Sequence, residues 1–207
     1  MQDTFAKLAE LFARFPGIGP RQSKRFVYFL LASPSGVRDE LVRLILELKK
    51  IVGVCGQCRR FFTLGANRAA LCSICGDPKR DHALLMLVEK DVDLETVEKA
   101  RSWNGTYFVL GGTVPILEKK PAAHVRLQQL EKLIGERGAS GTLKEIVLAL
   151  SLTTEGEYTA EYLEKELAPL AAKHGFKLST LGRGLSTGSE LEYADPETIK
   201  NALKNRN

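Results

Sequence analysis

Phe5, Leu8, Leu11, Phe12 and Phe15 recur three and four residues apart, the stripe of an amphipathic helix. Phe26, Val27, Phe29, Leu30 and Leu31 predict a strongly apolar second helix that stops near "SPSG" at 33–36. A third helix is expected from Val37 to about Val52, with Val37, Leu41, Leu44, Ile45 and Leu48 on one face. From residue 84 the texture changes. "LLMLV" (84–88), "TYFVL" (106–110), "IVLAL" (146–150) and "FKLSTL" (176–181) read as buried strands. Between them 93–101, 121–136 and 157–172 read as helices, the first with Asp93 as its cap. Strand–helix alternation implies a parallel sheet with helices on its faces, and sites at the carboxyl ends of its strands.

Between the first two helices the chain reads "FPGIGPRQSKR" (15–25). Gly17 and Gly19 bracket Ile18, which anchors the turn. The loop's backbone N–H groups fall at the start of the second helix, where unpaired donors and the helix dipole favour an anion. Arg21, Lys24 and Arg25 follow in that helix's first turns, within reach of neighbouring phosphates. The pattern resembles the helix-hairpin-helix of DNA-binding proteins, which grips phosphate and so binds without reading sequence. The other reading is an αα-hairpin turn whose glycines serve packing alone.

Composition narrows the field. A chain of 207 residues allows one or two domains, and 44% hydrophobic with 27% charged residues excludes wholesale disorder. No apolar run approaches the roughly 18–20 residues that span a bilayer. "MQDTFAKLAELF" carries an acid and a lysine within its apolar stretch, wrong for a signal peptide, so a cytoplasmic location is expected. The net charge of +5 is unevenly spread: residues 1–80 hold 14 Lys and Arg against 6 Asp and Glu, and the remainder hold 16 against 19. A basic front and a mildly acidic back suggest nucleic acid at one end and something else at the other; a solvated basic surface explains the charge equally well.

All four cysteines lie in "CGQCRRFFTLGANRAALCSICG". Cys55 and Cys58, then Cys72 and Cys75, form two C-x2-C pairs thirteen residues apart, the separation at which two knuckles fold towards one tetrahedral metal. Gly56 and Gly76 are expected to loosen the knuckles and turn backbone amides towards the thiolates. Four soft ligands with no vacant position suit one structural zinc per chain. Two disulfides or four free thiols are the competing readings, and a cytoplasmic chain disfavours the first. Arg59, Arg60, Arg68, Lys79 and Arg80 around the pairs continue the basic surface.

A strand closed by Glu89, then a later strand running into "SLTTEGE" (151–157), resembles the Toprim domain of topoisomerases and primases. Catalytic Toprim members carry an Asp-x-Asp pair that holds magnesium with the first glutamate; those acids align with Ser151 and Thr153 here. Helix-hairpin-helix, four-cysteine ribbon, Toprim-like domain without its Asp-x-Asp, and the tail "RGLSTGSELEYAD" (183–195) together resemble the RecR family of bacterial recombination mediators. "YFVLGG" (107–112) belongs to the same likeness. The resemblance implies a multi-part α/β architecture: a helix-hairpin-helix region at 1–53, a zinc ribbon at 54–79, a Toprim-like parallel α/β domain at 80–182 and a C-terminal arm at 183–207.

It implies a non-enzymatic, nucleoid-associated role in recombinational DNA repair. Family members bind single- and double-stranded DNA without sequence preference, assemble as rings, commonly tetramers, and act with RecO and RecF to load recombinase on single-stranded DNA. Glu89 and Glu155 would then present exposed negative charge to RecO or RecF. The alternative function is a metal-dependent Toprim nuclease, or a topoisomerase or primase fragment.

The remaining conspicuous residues carry less. His82, His124 and His174 are scattered without metal-ligand spacing, and Trp103 and Tyr107 flank "NG" before a strand, where packing outweighs base stacking. Lys49–Lys50 and Lys119–Lys120 read as solvated runs. Gly182, Gly184 and Gly188 lack the lysine and hydroxyl of a phosphate loop and read as flexibility in the arm.

Overall fold

The first apolar stripe forms a helix because its start is fixed from outside. In the computed structural model, which describes residues 3–65, 70–118, 120–182, 196 and 198–200, Asp3 caps α1 (Thr4–Ala13). Its carboxylate accepts the N–H groups of Phe5 at 3.0 Å and Ala6 at 3.3 Å, two of the orphan donors of a helix start. α2 (Pro20–Ala32) begins with a proline, whose missing N–H costs nothing there. It ends where Arg38 donates to the carbonyls of Leu30 and Ser33. α3 (Ser35–Ile51) starts two residues ahead of the expected Val37, its N-cap position taken by Pro34.

Residues 1–53 and 54–207 are two compact units. In the first, Phe12 packs edge-on to Phe15 and Phe26, and Phe5 tilts against Tyr28, yet among the described residues only Ala9, Ser23 and Val27 are buried. α3 buries no residue at all. Val42, Ile45 and Leu46 stand 56%, 55% and 67% exposed, and a groove of about 590 Å³ runs between apolar side chains of α1, α2 and α3.

The second unit is built on a four-stranded parallel sheet. Its strands are β3 (Asp81–Val88), β4 (Gly105–Val109), β5 (Glu145–Ala149) and β6 (Lys177–Thr180), in the order β4-β3-β5-β6. The strands read as unbroken apolar runs because both faces are covered. Leu85 and Leu87 point with Phe108, Ile146 and Leu148 into one core, under α5 (Leu127–Ala139) and α6 (Thr154–His174). Met86 and Val88 point with Tyr107, Val109 and Val147 into the other. That second face is covered by α4 (Asp91–Ala100) and by the four cysteines, which share one cluster with it. The cysteine module thus fills the place where a further helix would pack.

Three further helix starts differ from expectation, one of them α6, which begins at Thr154 and not at 157. Asp93 is not the cap of α4 but lies one turn inside, and its carboxylate reaches back to the Lys90 N–H at 2.8 Å. The 121–136 helix begins later, because Pro121–Ala123 forms a separate 3-10 turn before Leu127. The expected C-terminal arm (183–207) lies outside the described residues apart from 196 and 198–200, as do Arg68 and Lys119. Among the described residues no helix is long and apolar enough to cross a membrane.

Candidate metal centre, phosphate loop and strand-end site

The first knuckle opens from β1 (Val52–Val54) and returns through β2 (Phe61–Thr63). Its tightest residue is Arg59, in the left-handed region at φ 64°, whose N–H donates to the Cys55 carbonyl at 3.1 Å. Gly56 and Gly76 do not play the part expected of them. Their N–H groups donate to the carbonyls of Ala70 and Cys72, both at 2.9 Å, and neither has a positive φ. The amide of Cys72 does reach a sulfur, 3.4 Å from Cys55 Sγ.

Cys55, Cys58, Cys72 and Cys75 are all buried, and their four sulfurs lie within 4.8 Å of one another. A tetrahedral ion with metal–sulfur bonds of ~2.3 Å sets its sulfurs about 3.8 Å apart, so the cluster needs little movement to close on one. Cys58 and Cys72 already approach to 3.6 Å. Without a cation the thiols compete for charge: bonds from Cys58, Cys72 and Cys75 pull Cys55 down, while the same network, Cys55 first, pushes Cys58 up. A divalent ion removes that conflict by favouring four thiolates at once. No cysteine is in a disulfide.

Three sets of bonds lock this module to the sheet. Val109 N–H donates to the Cys58 carbonyl at 2.8 Å, Phe61 N–H to Asp91 Oδ1 at 2.7 Å, and Arg126 Nη1 to the carbonyls of Arg59 and Val109, both at 3.0 Å. Of the cations expected on the surface here, Arg80 is instead drawn inward. It pairs with Glu98, which also accepts the Tyr107 hydroxyl at 2.6 Å. Burial and then Glu98 push the Tyr107 hydroxyl's pKa up, so it stays a donor. Trp103 packs against the same cluster and its Nε1 donates to the Thr106 carbonyl. His124 pairs with Glu118 at 2.7 Å.

In the first unit the "PGIG" turn puts Gly17 at φ 75°, where an L side chain is strained. Gly19 is different: it is the N-cap of α2 with an ordinary φ of −84° and open space where a Cβ would stand. Among the described residues nothing requires glycine there. No side chain caps α2, Ile18 is half-buried, and Arg21, Lys24 and Arg25 are exposed. Arg25 reaches Gln22 at 3.2 Å; among the described residues none of the three cations has a carboxylate within 4 Å.

The third site lies between β3 and β5, where strand order reverses and open parallel sheets leave a crevice. Glu89 follows β3 and Ser151 follows β5. Glu89 is only 6% exposed, so it does not present surface charge as expected. Its Oε1 accepts both the Ser151 N–H at 2.7 Å and the Ser151 hydroxyl at 2.6 Å. Ser151 Oγ lies 3.0 Å from Thr153 Oγ1, which accepts the Gly156 N–H as the cap of α6. A Cβ on Gly156 would collide with the Ser151 carbonyl, so only glycine lets the helix approach this closely. Of the two glutamates Glu155 is the exposed one, with the Thr113 hydroxyl donating to it at 3.2 Å. The two positions that align with Asp-x-Asp therefore serve as donor to Glu89 and as helix cap.

Sequence reasoning missed Arg137, the buried cation of α5. Its signal was its place: it extends the apolar spacing of Leu130, Leu133 and Ile134 by one helical step.

Comparison with known proteins agrees with this geometry. A family model described as "Toprim domain" matches residues 83–181, and one described as "RecR, C-terminal" matches residues 184–207. A Recombination protein RecR of Chloroflexus aggregans is 38% identical over 97% of this chain and 92% of its own. That of Bifidobacterium animalis subsp. lactis is 36% identical over 97% and 94%, and that of Pelotomaculum thermopropionicum 37% over 97% and 94%. At such identity across nearly the full length of both partners, the chain belongs to the RecR family of recombination proteins.

Proposed function

We propose that this chain is a non-enzymatic recombination mediator that holds DNA by its phosphates, works with RecO and RecF to load recombinase on single-stranded DNA, and does so in the bacterial cytoplasm at the nucleoid. The observation that carries the reading is Gly19. A glycine without a conformational or internal steric need, at an uncapped helix start beside three cations that pair with no carboxylate among the described residues, leaves room for a phosphate to touch the backbone. Arg21, Lys24 and Arg25 neutralise the phosphates on either side, for single or double strands and for any sequence. One zinc per chain, held by Cys55, Cys58, Cys72 and Cys75, closes the ribbon; a full set of thiolates leaves it a structural role.

The nuclease or topoisomerase alternative is disfavoured by the strand-end site. A hard divalent cation needs carboxylates, and the carboxylate of Glu89 is engaged by Ser151. We assign this surface to a protein partner instead. Glu155 supplies the exposed negative charge for a Lys or Arg of RecO or RecF, and Glu89 fixes the turn from which it projects. Glu155→Lys is expected to weaken RecO or RecF association at least ten-fold in a calorimetric titration, with DNA binding and metal content unchanged. Undiminished affinity rejects the docking role. Magnesium-dependent cleavage of labelled DNA by the native chain, lost in Glu155→Lys, revives the enzyme.

The uncovered face of α3 takes a second copy of this chain, as the first step to a tetrameric ring. Exposed apolar side chains in such number mark an association surface, and the same helix keeps its Arg43–Glu40 and Arg43–Glu47 pairs for water. Ile45→Glu with Leu46→Glu should lower the solution mass to a smaller assembly while the zinc content holds at one per chain. A mass equal to that of the native protein overturns the assignment.

A further inference from the structure

Arg137 ends inside the second unit, 8% exposed, near the C-terminus of α5. A guanidinium removed from water needs opposite charge or full hydrogen bonding. Its Nη1 donates to the buried Thr106 hydroxyl at 2.7 Å and to the His82 carbonyl at 3.4 Å, and its Nη2 to Gln57 Oε1 at 3.5 Å. All three acceptors are neutral, and among the described residues no carboxylate lies within 4 Å of it. Gln57 stands inside the first knuckle, next to Cys58. Burial pulls the guanidinium below its usual pKa, and the sulfurs of Cys75 and Cys58 are what act against that pull. Gln57 thus ties the guanidinium to the knuckle that carries Cys58, and a metal-filled centre would supply the opposite charge that no described carboxylate provides within 4 Å.

We propose that Arg137 is the counter-charge of the four-cysteine centre. Four thiolates on one zinc ion carry a net charge of −2, set here in the apolar cluster beneath Met86, Val88 and Tyr107. Such a centre is costly in low dielectric unless a cation stands near it, and a guanidinium held by Thr106 and Gln57 cannot swing away. The dependence is mutual. Without thiolates Arg137 is a buried charge with no opposite partner, and without Arg137 the filled centre is a buried dianion. Arg137 acts through the ligands, as a positioning residue, and touches no substrate.

This inference rests on reading the cluster as a metal centre, and the test separates the two. The full chain is loaded with zinc, and affinity is measured by competition with a chromophoric chelator for the native protein, Arg137→Gln and Arg137→Lys. Native protein holding one zinc, Arg137→Gln holding it 10–100-fold more weakly, and Arg137→Lys recovering most of the loss is the expected result. A melt of each variant with and without zinc supplies the second reading: the Gln variant should lose more stability loaded than stripped, whereas a packing role alone lowers both alike. Where Arg137→Gln fails to fold, Arg137→Met is read in its place. Native affinity in the neutral variants overturns the counter-charge and leaves the metal centre standing. Native protein that takes up no zinc removes both.

Discussion

Cys72→Ala is expected to unfold much of the second unit, not merely to release an ion. The cysteines are not an appendage: Cys55, Cys58, Cys72 and Cys75 are part of the cluster that covers one face of the sheet, with Met86, Val88, Tyr107 and Val109. Zinc in small cysteine modules contributes on the order of 10 kcal/mol to folding. A whole domain is stable by only about 5–15 kcal/mol, so losing one ligand of four consumes most of that margin. The melting temperature should fall by more than ~10 °C, zinc should drop well below one per chain, and a strong chelator should reproduce both on the native protein. Acid should do the same, because thiolates must take up protons as the metal leaves. An unchanged melt with full metal content would show that the cluster packs without needing an ion.

Replacing Arg21, Lys24 and Arg25 together with alanine should weaken binding to every DNA sequence alike. Each phosphate that is no longer neutralised takes roughly 0.7–0.9 units from the slope of log affinity against log salt, so the triple variant should lose about 2–3 units. The fold should survive, since all three side chains are exposed and none holds an ion pair among the described residues. A companion variant, Gly19→Ala, changes no charge, and its Cβ meets open space in the chain itself. It should weaken DNA binding while lowering the melt by only a few degrees, the cost of a poorer helix N-cap. Equal affinity and an equal salt slope in the triple variant would reduce the hairpin to a turn.

What the sequence made legible was what repeats or recurs at fixed spacing. The C-x2-C pairs announced a cluster because two short loops must converge for such spacing to serve one ion. The strands of the sheet announced themselves because burial on both faces leaves no polar alternation, so Leu85 and Met86 look alike although they point opposite ways. Hidden were the features that depend on what lies across the fold. Asp93 has the chemistry of a cap at either end of its turn, and only the backbone of Lys90 decides which. Glu89 is buried because Ser151 reaches it from 62 residues away. Arg80 looked like part of a basic surface until Glu98 and Tyr107 were placed beside it. Arg137 sits on an apolar helix face, and nothing within its own helix says that Thr106 and Gln57, from two other segments, receive its hydrogen bonds.

The hydroxyl at residue 151 also fixes how this domain can change. Ser151 gives Glu89 two donors, one from the backbone and one from the side chain. An aspartate in its place would set acceptor against acceptor at hydrogen-bond distance in a half-dry crevice, and like charges that close cannot both ionise. The acid becomes tolerable only if a cation arrives in the same step, or if Glu89 is lost first. Thr153 is freer, since aspartate caps a helix as well as threonine does. On the route from this chain to a magnesium-binding Toprim site, the change at Thr153 therefore comes easily, whereas the one at Ser151 runs uphill unless a cation arrives with it.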